Sequence, residues 1–110
     1  MLMKTGSLPE VLIERGKVDR TVIYKNERST EITEISLLEL SPGAKIKVHW
    51  HYNDSEIYYK IDSKEIEYCH VGEKHGLENK TKEILRVISI KCAKELTGES
   101  VDRIIKSLCK

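Results

Sequence analysis

Residues 84–92 place the strongest constraint on the fold of this chain. They read Ile-Leu-Arg-Val-Ile-Ser-Ile-Lys-Cys and are apolar at most positions. A short apolar run of this kind is typical of a strand that is buried on both faces. The rest of the chain must therefore supply apolar layers on both sides of this strand. With 110 residues it can do so once, so we predict a single domain over residues 1–110.

Composition and turn spacing indicate further strands. Hydrophobic residues make up 39% of the chain and Phe is absent, so Ile, Leu and Val must form the core, and β-branched residues favour strands. Turn signals recur at the regular spacing of a β-sandwich or barrel. Residues 8–13 allow either an edge strand or a short helical turn, and residues 31–40 favour a strand over a helix. The predicted strands are residues 17–24, 31–40, 44–52, 56–61, 65–69 and 84–92.

The end of the chain has a different period. Residues 97–100 (Thr-Gly-Glu-Ser) suit the start of a helix. Apolar residues then recur at helical spacing, which predicts one amphipathic helix at about residues 99–109 that covers an edge or open end of the sheet. The apolar positions are Val101, Ile104, Ile105 and Leu108.

Charge and cysteine content exclude several classes of protein. Nineteen basic and eighteen acidic residues give a net charge of +1 without a basic stripe, so we expect no nucleic-acid partner. No segment approaches the length of a membrane span, and the first residues lack the apolar run of a signal peptide. Three scattered cysteines, Cys69, Cys92 and Cys109, favour a reducing compartment over a disulfide scaffold. We therefore predict a cytoplasmic protein without a membrane partner.

Residues 43–56 contain the side chains most suited to metal binding or catalysis. His49 and His51 are two positions apart, so a strand would present both imidazoles on one face, opposite Ile46, Val48 and Trp50. Glu56 follows a polar turn, and a hairpin there could bring its carboxylate beside the two rings. His75 follows another turn. Three imidazoles and one carboxylate suit Fe(II), Mn(II), Ni(II), Co(II), Cu(II) or Zn(II), and on an octahedral ion they leave two open positions.

Several neighbours have both a functional and an ordinary interpretation. Lys47 shares the predicted face of His49, where it could orient an anionic substrate or simply reach solvent. Tyr58 shares the face of Glu56 and could donate a hydrogen bond or pack in the wall. Trp50 points away from the histidines, towards the core or an interface. Asn79 could contact a substrate or the ligands, or support a turn. Cys69 and Cys92 are interpreted as small buried apolar residues. No general base beyond the metal ligands is recognisable.

These residues resemble the two motifs of the cupin superfamily. The first motif, G-x5-H-x-H-x4-E-x6-G, is matched by Gly43, His49, His51 and Glu56, with Ser63 at its last position. The second motif, G-x5-P-x-G-x2-H-x3-N, is matched in its last three fixed positions, whereas Lys64 and His70 replace its first glycine and its proline. Those three matching residues are Gly72, His75 and Asn79.

The resemblance implies an all-β protein with a small jelly-roll β-barrel or sandwich, core motifs within residues 43–92 and a metal bound by His49, His51, Glu56 and His75. It departs from the family in one respect, because the first motif ends at Ser63 and the second begins at Lys64. The intermotif segment, which closes part of the barrel in the family, is absent. We therefore expect an open site, with the missing strand pairing supplied by the N-terminal strands, the C-terminal helix or a second subunit, and we predict a homodimer.

The resemblance also implies a range of functions. The first is a metal-binding protein that could be an enzyme of dioxygenase, isomerase or lyase type, acting on a small polar or anionic metabolite. The alternatives are a non-catalytic module that binds a small molecule or sugar, and a dimerising structural unit with a vestigial site. The fold by itself does not choose among them.

Overall fold

A computed structural model describes residues 4–28, 31–95 and 98–108, apart from the side chains of residues 4, 5, 105 and 108. These ranges contain nine strands, one α-helix and a short 3-10 turn at Glu10–Leu12. The strands are β1 (Lys4–Ser7), β2 (Ile13–Arg15), β3 (Val18–Lys25), β4 (Ile32–Leu40), β5 (Lys45–His49), β6 (Ser55–Lys60), β7 (Ile66–Cys69), β8 (His75–Glu78) and β9 (Leu85–Cys92), and the helix is α1 (Gly98–Leu108).

Two antiparallel sheets face each other. The larger has six strands in the order β1-β3-β4-β9-β6-β7, and the smaller has three in the order β2-β5-β8. Strand β9 lies between β4 and β6, where both of its faces are covered. Val87 on its inner face and Ile90 on its outer face are fully buried. The prediction of an all-β fold around a doubly buried strand, with one C-terminal helix, is confirmed.

Each face of the larger sheet packs in its own apolar cluster. The inner cluster lies between the sheets and includes Val18, Leu40 and Ile46. The outer cluster joins Ile57, Ile90 and Cys92 to residues of α1, so the helix covers the outer face of the sheet through the apolar stripe that its spacing predicted. The stripe residues described there are Val101 and Ile104.

Part of that helix prediction lies outside the described residues. The residues concerned are Thr97 at the predicted start of the helix and Cys109 at its predicted end, together with the side chains of Ile105 and Leu108. The described helix is too short and too polar to cross a membrane, and no other described helix is longer.

The N-terminal segment adds a strand to both sheets. β1 pairs with β3 at one edge of the larger sheet, and β2 pairs with β5 in the smaller sheet. Residues 8–13 contain both of the predicted conformations, one after the other: the 3-10 turn leads directly into the edge strand β2. Leu8, between β1 and that turn, is buried in the inner cluster. The N-terminal strands thus supply sheet pairing, which was one of the sources of pairing expected from the sequence.

Asn79 supports a turn and has no place in the cavity that holds the histidines. Its side chain is 1% exposed, and its amide nitrogen donates to the carbonyl oxygens of Leu40 (2.9 Å) and Glu83 (2.7 Å). Its amide oxygen accepts hydrogen bonds from the backbone nitrogen and hydroxyl of Thr81, at 3.0 and 2.7 Å. The interpretation of Asn79 as a substrate or ligand contact is therefore corrected, because every polar atom of its side chain is already engaged.

Asn79→Ala is expected to lower the free energy of unfolding by about 2–3 kcal/mol, since it removes the four hydrogen bonds of a buried amide. Equilibrium denaturation in urea measures the change. Asn26→Ala is the matched control, because the Asn26 side chain is exposed and accepts one bond, from the Arg28 backbone nitrogen. A cost equal to that of the control would contradict the structural role of Asn79.

Candidate metal centre

The four residues singled out in the sequence meet between the two sheets. His49 ends β5, His51 follows it, and His75 begins β8, so the smaller sheet and its loop supply the imidazoles. Glu56 lies on β6 of the larger sheet and faces them. One potential ligand atom from each of the four lies within 4.8 Å of those of the other three. The turn before His75 is anchored to this group, since the Gly72 backbone nitrogen donates to the His51 carbonyl oxygen at 2.8 Å.

The regular alternation predicted for β5 is broken between Ile46 and His49. Ile46 is opposite Leu77 and His49 is opposite His75, so β5 has one residue more than β8 between the two pairs. Ile46 and His49 consequently line the same cavity, whereas Lys47 and Val48 are both exposed. The prediction that Lys47 shares the face of His49 is wrong, because the extra residue changes the strand's alternation.

Gly76 allows the irregular strand to lie close to β8. A Cβ atom at Gly76 would be 3.0 Å from the Ile46 carbonyl oxygen and 3.3 Å from the Val48 Cα atom. A larger residue would push β5 away and carry His49 with it. The interpretation of Trp50 as a core residue is also corrected, since its side chain is 46% exposed with the Lys74 ammonium 5.7 Å from its ring centre.

Backbone carbonyl groups orient two of the three imidazoles. Nδ1 of His49 lies 2.7 Å from the Lys47 carbonyl oxygen, and Nδ1 of His75 lies 3.1 Å from the Glu73 carbonyl oxygen. A carbonyl oxygen only accepts, so each Nδ1 carries the proton and donates it. In the neutral ring Nε2 then has a free lone pair, which is the form that ligates a metal.

Glu56 joins the imidazoles through one carboxylate oxygen. Its Oε1 lies 3.3 Å from Nε2 of His51 and 3.3 Å from Nε2 of His75, while its Oε2 accepts a 2.6 Å hydrogen bond from the Ser89 hydroxyl. Both Nε2 atoms are buried, and neither has a hydrogen bond of acceptable geometry within the described part of the chain. Buried polar atoms without partners are costly, and a cation between them and the carboxylate would satisfy both.

Burial and contacts within the group shift the pKa values of Glu56, His75 and His49. Burial raises the pKa of Glu56, but the adjacent imidazoles of His51 and His75 and the hydrogen bond from the Ser89 hydroxyl outweigh it and hold the pKa well below the usual range. Burial lowers the pKa of His75, but the neighbouring Glu56 carboxylate and the Glu73 carbonyl group raise it above 6.5 overall. The pKa of His49 is lowered, mainly by burial. Glu56 is thus ionised at neutral pH, and its negative charge favours the protonated form of the His75 imidazole.

The separations fit a first-row divalent ion. Metal–ligand bonds of about 2.0–2.2 Å put neighbouring ligand atoms about 3 Å apart and opposite ones about 4 Å apart. The 3.3 Å contacts from the Glu56 carboxylate match the shorter spacing, whereas the 4.8 Å limit of the whole group exceeds the longer one, so the side chains would draw together slightly around an ion. Glu56 and His75 are buried, whereas His49 and His51 are half-buried. The centre is therefore more enclosed than the open site expected from the missing intermotif segment.

A small cavity of about 50 Å³ adjoins the centre. It has room for only a few water molecules. Tyr58 forms part of its wall, with its ring centre 5.7 Å from that of His75, and burial raises the pKa of its phenol so that it stays protonated. The polar side chains that line the cavity besides the predicted ligands are Arg20, Glu34, Ser36, Tyr58, Ser89 and Lys91.

Five of these residues, all except Tyr58, were missed in the sequence. A signal for four of them exists in β4 and β9, where the inward-facing positions change from apolar to polar at one end. In β4 they run from Leu40 and Leu38 to Ser36 and Glu34. Ser36 lies opposite Ser89, and Glu34 lies opposite Lys91. The match of the two polar ends depends on strand register, which the sequence alone does not show.

Comparisons with known proteins bear on the fold. No protein-family model matches the sequence, and no curated protein matches it. The structure is similar to a predicted oxalate decarboxylase from Thermotoga maritima, at 17% identity and a TM-score of 0.71 over 84% of this chain and 99% of that chain. It is also similar to a protein from Thermus thermophilus, at 17% identity and a TM-score of 0.54 over 79% of this chain and 88% of that chain.

At this level of identity the likeness establishes the fold alone. The fold is cupin-like, as the two motifs implied. Together with the group formed by His49, His51, Glu56 and His75, it defines a cupin-like β protein with a three-histidine, one-glutamate group compatible with metal binding.

Proposed function

We propose that this chain is a metal-binding protein in which His49, His51, Glu56 and His75 hold one divalent transition metal. The observation that carries the proposal is the pair of buried Nε2 atoms, on His51 and His75, that face a carboxylate without a hydrogen bond. The backbone bonds to Nδ1 of His49 and His75 add support, because they favour the ligating tautomer. The donor set suits Fe, Mn, Ni, Co, Cu or Zn.

The proposal extends to an enzyme that acts on a small polar or anionic metabolite, of dioxygenase, isomerase or lyase type. A bound ion would supply Lewis-acid polarisation of a substrate oxygen. The chain itself supplies a cavity too small for bulk water, a neutral phenol at Tyr58 and a carboxylate outside the ligand set at Glu34. Glu34 is the potential proton acceptor that the sequence had not revealed, since it lines the cavity beside the ligands.

One observation favours a binding module as the alternative. The Glu34 carboxylate already accepts a hydrogen bond from the Ser36 hydroxyl at 3.2 Å and lies 3.7 Å from the Arg20 guanidinium. A carboxylate engaged in this way holds the Arg20 side chain in place and is less free to contact a substrate. In this alternative the chain captures a small molecule at the metal without turning it over.

The proposal includes a cytoplasmic homodimer. Two described cysteines, Cys69 and Cys92, are buried free thiols, which suits a reducing compartment. In the described part of the chain, β1 and β7 are the edge strands of the larger sheet, and a second copy of the chain could pair with either. Light scattering at high concentration tests the dimer, and a clean monomer would overturn it.

Metal analysis tests the proposed function. Protein purified without added metal is expected to contain about one transition ion per chain, or to take up one equivalent after chelator treatment and titration. Elemental analysis and calorimetric titration measure the stoichiometry. Protein that is metal-free as purified and takes up none on titration would overturn both the enzyme and the metal-dependent binding module.

A further inference from the structure

Two cationic side chains from the larger sheet line the same cavity as the candidate metal centre. Arg20 belongs to β3 and Lys91 to β9, and both line the cavity together with His49 and Glu56. We propose that Arg20 and Lys91 form an anion-receiving subsite beside the metal, and that its ligand is a carboxylate of two or three carbons. The inference rests on the proposed function, because it places one end of that ligand at the metal.

Strand register places the cations close to the ligands. Lys91 is directly opposite Glu56 on β6 and directly opposite Glu34 on β4. Side chains directly opposite each other in an antiparallel pair share a face and lie about 5 Å apart at Cβ. One row of charge therefore crosses the inner face of the sheet and ends at the metal ligand Glu56.

Arg20 reaches the same row from β3. Its guanidinium lies 3.7 Å from the Glu34 carboxylate, and the two side chains are 32% and 13% exposed. At that separation the contact is ionic and longer than a hydrogen bond, so guanidinium N–H groups stay available to a ligand. Glu34, which also accepts from Ser36, keeps Arg20 beside the cavity.

The Lys91 ammonium has no ion-pair partner among the residues that the structure describes, which are 4–28, 31–95 and 98–108. Its side chain is half-buried. A partly desolvated cation without a fixed partner is better placed to bind an incoming anion than a cation already held in an ion pair.

The charges around the cavity favour the binding of an anion beside the metal. The ionised residues that line the cavity are Arg20, Lys91, Glu34 and Glu56, two of each sign. The ligating histidines are neutral, so a divalent ion leaves an excess of two positive charges. A bound anion reduces that excess in a site with little water to screen it. The cavity thus favours anions most strongly when the metal is present.

Size and shape select a small carboxylate. A cavity of about 50 Å³ has room for only a few atoms, which suits a carboxylate of two or three carbons better than a sugar ring. A planar carboxylate can accept two parallel hydrogen bonds from a guanidinium, and a spherical or tetrahedral anion matches that geometry less well.

Glycolate binding to the zinc-loaded chain tests the subsite. Zinc is redox-inert, and ethylene glycol is the neutral counterpart of glycolate. Calorimetry at constant ionic strength is expected to detect binding of glycolate, with weaker binding of sulfate and none of ethylene glycol. Lys91→Met is expected to weaken glycolate binding about tenfold or more, and Lys91→Arg by less than about threefold. Arg20→Gln is a second, independent variant with the same expected loss.

Lys47→Met is the matched control. Lys47 lies on β5 two residues before His49, but its side chain is exposed and does not line the cavity. Removing it changes the net charge by the same amount as Lys91→Met and is expected to leave glycolate binding unchanged. Zinc uptake is expected to stay within about threefold in all these variants, since none removes a ligand.

Reciprocal coupling supplies a readout that does not depend on activity. If glycolate binds at both the metal and the cations, it must tighten zinc binding by the same factor by which zinc tightens glycolate. Lys91→Met is expected to reduce that factor. Zinc uptake without glycolate binding, or equal losses in Lys91→Met and Lys47→Met, would overturn the subsite and leave the metal centre standing. Absence of zinc uptake by the unmodified chain would overturn both.

Discussion

A chain that carries both His49→Ala and His51→Ala is expected to bind divalent transition metals at least about a hundredfold more weakly. Loss of a single outer partner of a metal ligand costs about 10–100-fold in affinity, and this variant removes two of the four ligands. Glu56 and His75 would remain, with their 3.3 Å contact and the Ser89 hydrogen bond. Two ligands cannot enclose an ion, so calorimetric titration with Zn²⁺ is expected to show no high-affinity site.

The fourth histidine provides the control for this loss. His70 is exposed and pairs with Glu95 on the outside of the domain, away from the cavity. His70→Ala is expected to leave zinc affinity unchanged within about threefold. Both proteins are expected to fold, since His49 and His51 are only half-buried. High-affinity uptake that persists in the double variant would show that the ligands have been assigned incorrectly.

Zinc affinity is expected to rise about ten- to a hundredfold between pH 5.5 and 7.5, because a proton on His75 must leave before the metal binds. The folded-state pKa of His75 lies above 6.5 owing to the nearby Glu56 carboxylate and the Glu73 carbonyl group, which outweigh burial. The imidazolium therefore contributes stability to the metal-free protein that is fully present below pH 6.5. That contribution is lost as the pH rises through the folded-state pKa.

The other ligands add less to this pH dependence. The pKa of Glu56 is depressed well below its ordinary value of 4.5, so its carboxylate is ionised throughout the window. Its contribution to stability is present above pH 4.5 and is lost only in stronger acid. The pKa of His49 is lowered by burial, so its ring releases its proton at a lower pH than His75.

Competitive zinc titrations at fixed ionic strength measure this dependence. His70→Ala again serves as the control, and it is expected to give the same slope as the unmodified chain. Zinc affinity that does not change between pH 5.5 and 7.5 would contradict a ligand role for His75. A slope that disappears in His70→Ala would place the titrating proton on the exposed histidine instead.

Three of the candidate ligands and the fold class could be predicted because they depend on local spacing, whereas His75 joined the set through its match to the second cupin motif. His49 and His51 belong to one short segment, and Glu56 follows across one turn. The apolar run of β9 required cover on both faces, and the sheets and α1 supply it. Patterns of period two and 3.6 carry such information within a few residues of chain.

Errors arose where a neighbouring strand decides the conformation. The extra residue between Ile46 and His49 exists because β5 pairs with β8, where Gly76 leaves room for it. Strict alternation therefore placed Lys47 beside His49, although its side chain is exposed. Of the two interpretations of Asn79, support of a turn is correct and contact with a ligand is wrong, because its amide bridges the ends of two distant segments.

By itself, the sequence determined that this chain builds a β fold around β9 and that three imidazoles and a carboxylate are available to it. Only the tertiary structure decided how enclosed they are and what surrounds them. Arg20, Glu34 and Lys91 come from three different strands, and no local pattern relates them. Strand register brings them to one end of the larger sheet, because pairing between strands fixes which distant residues are opposite each other.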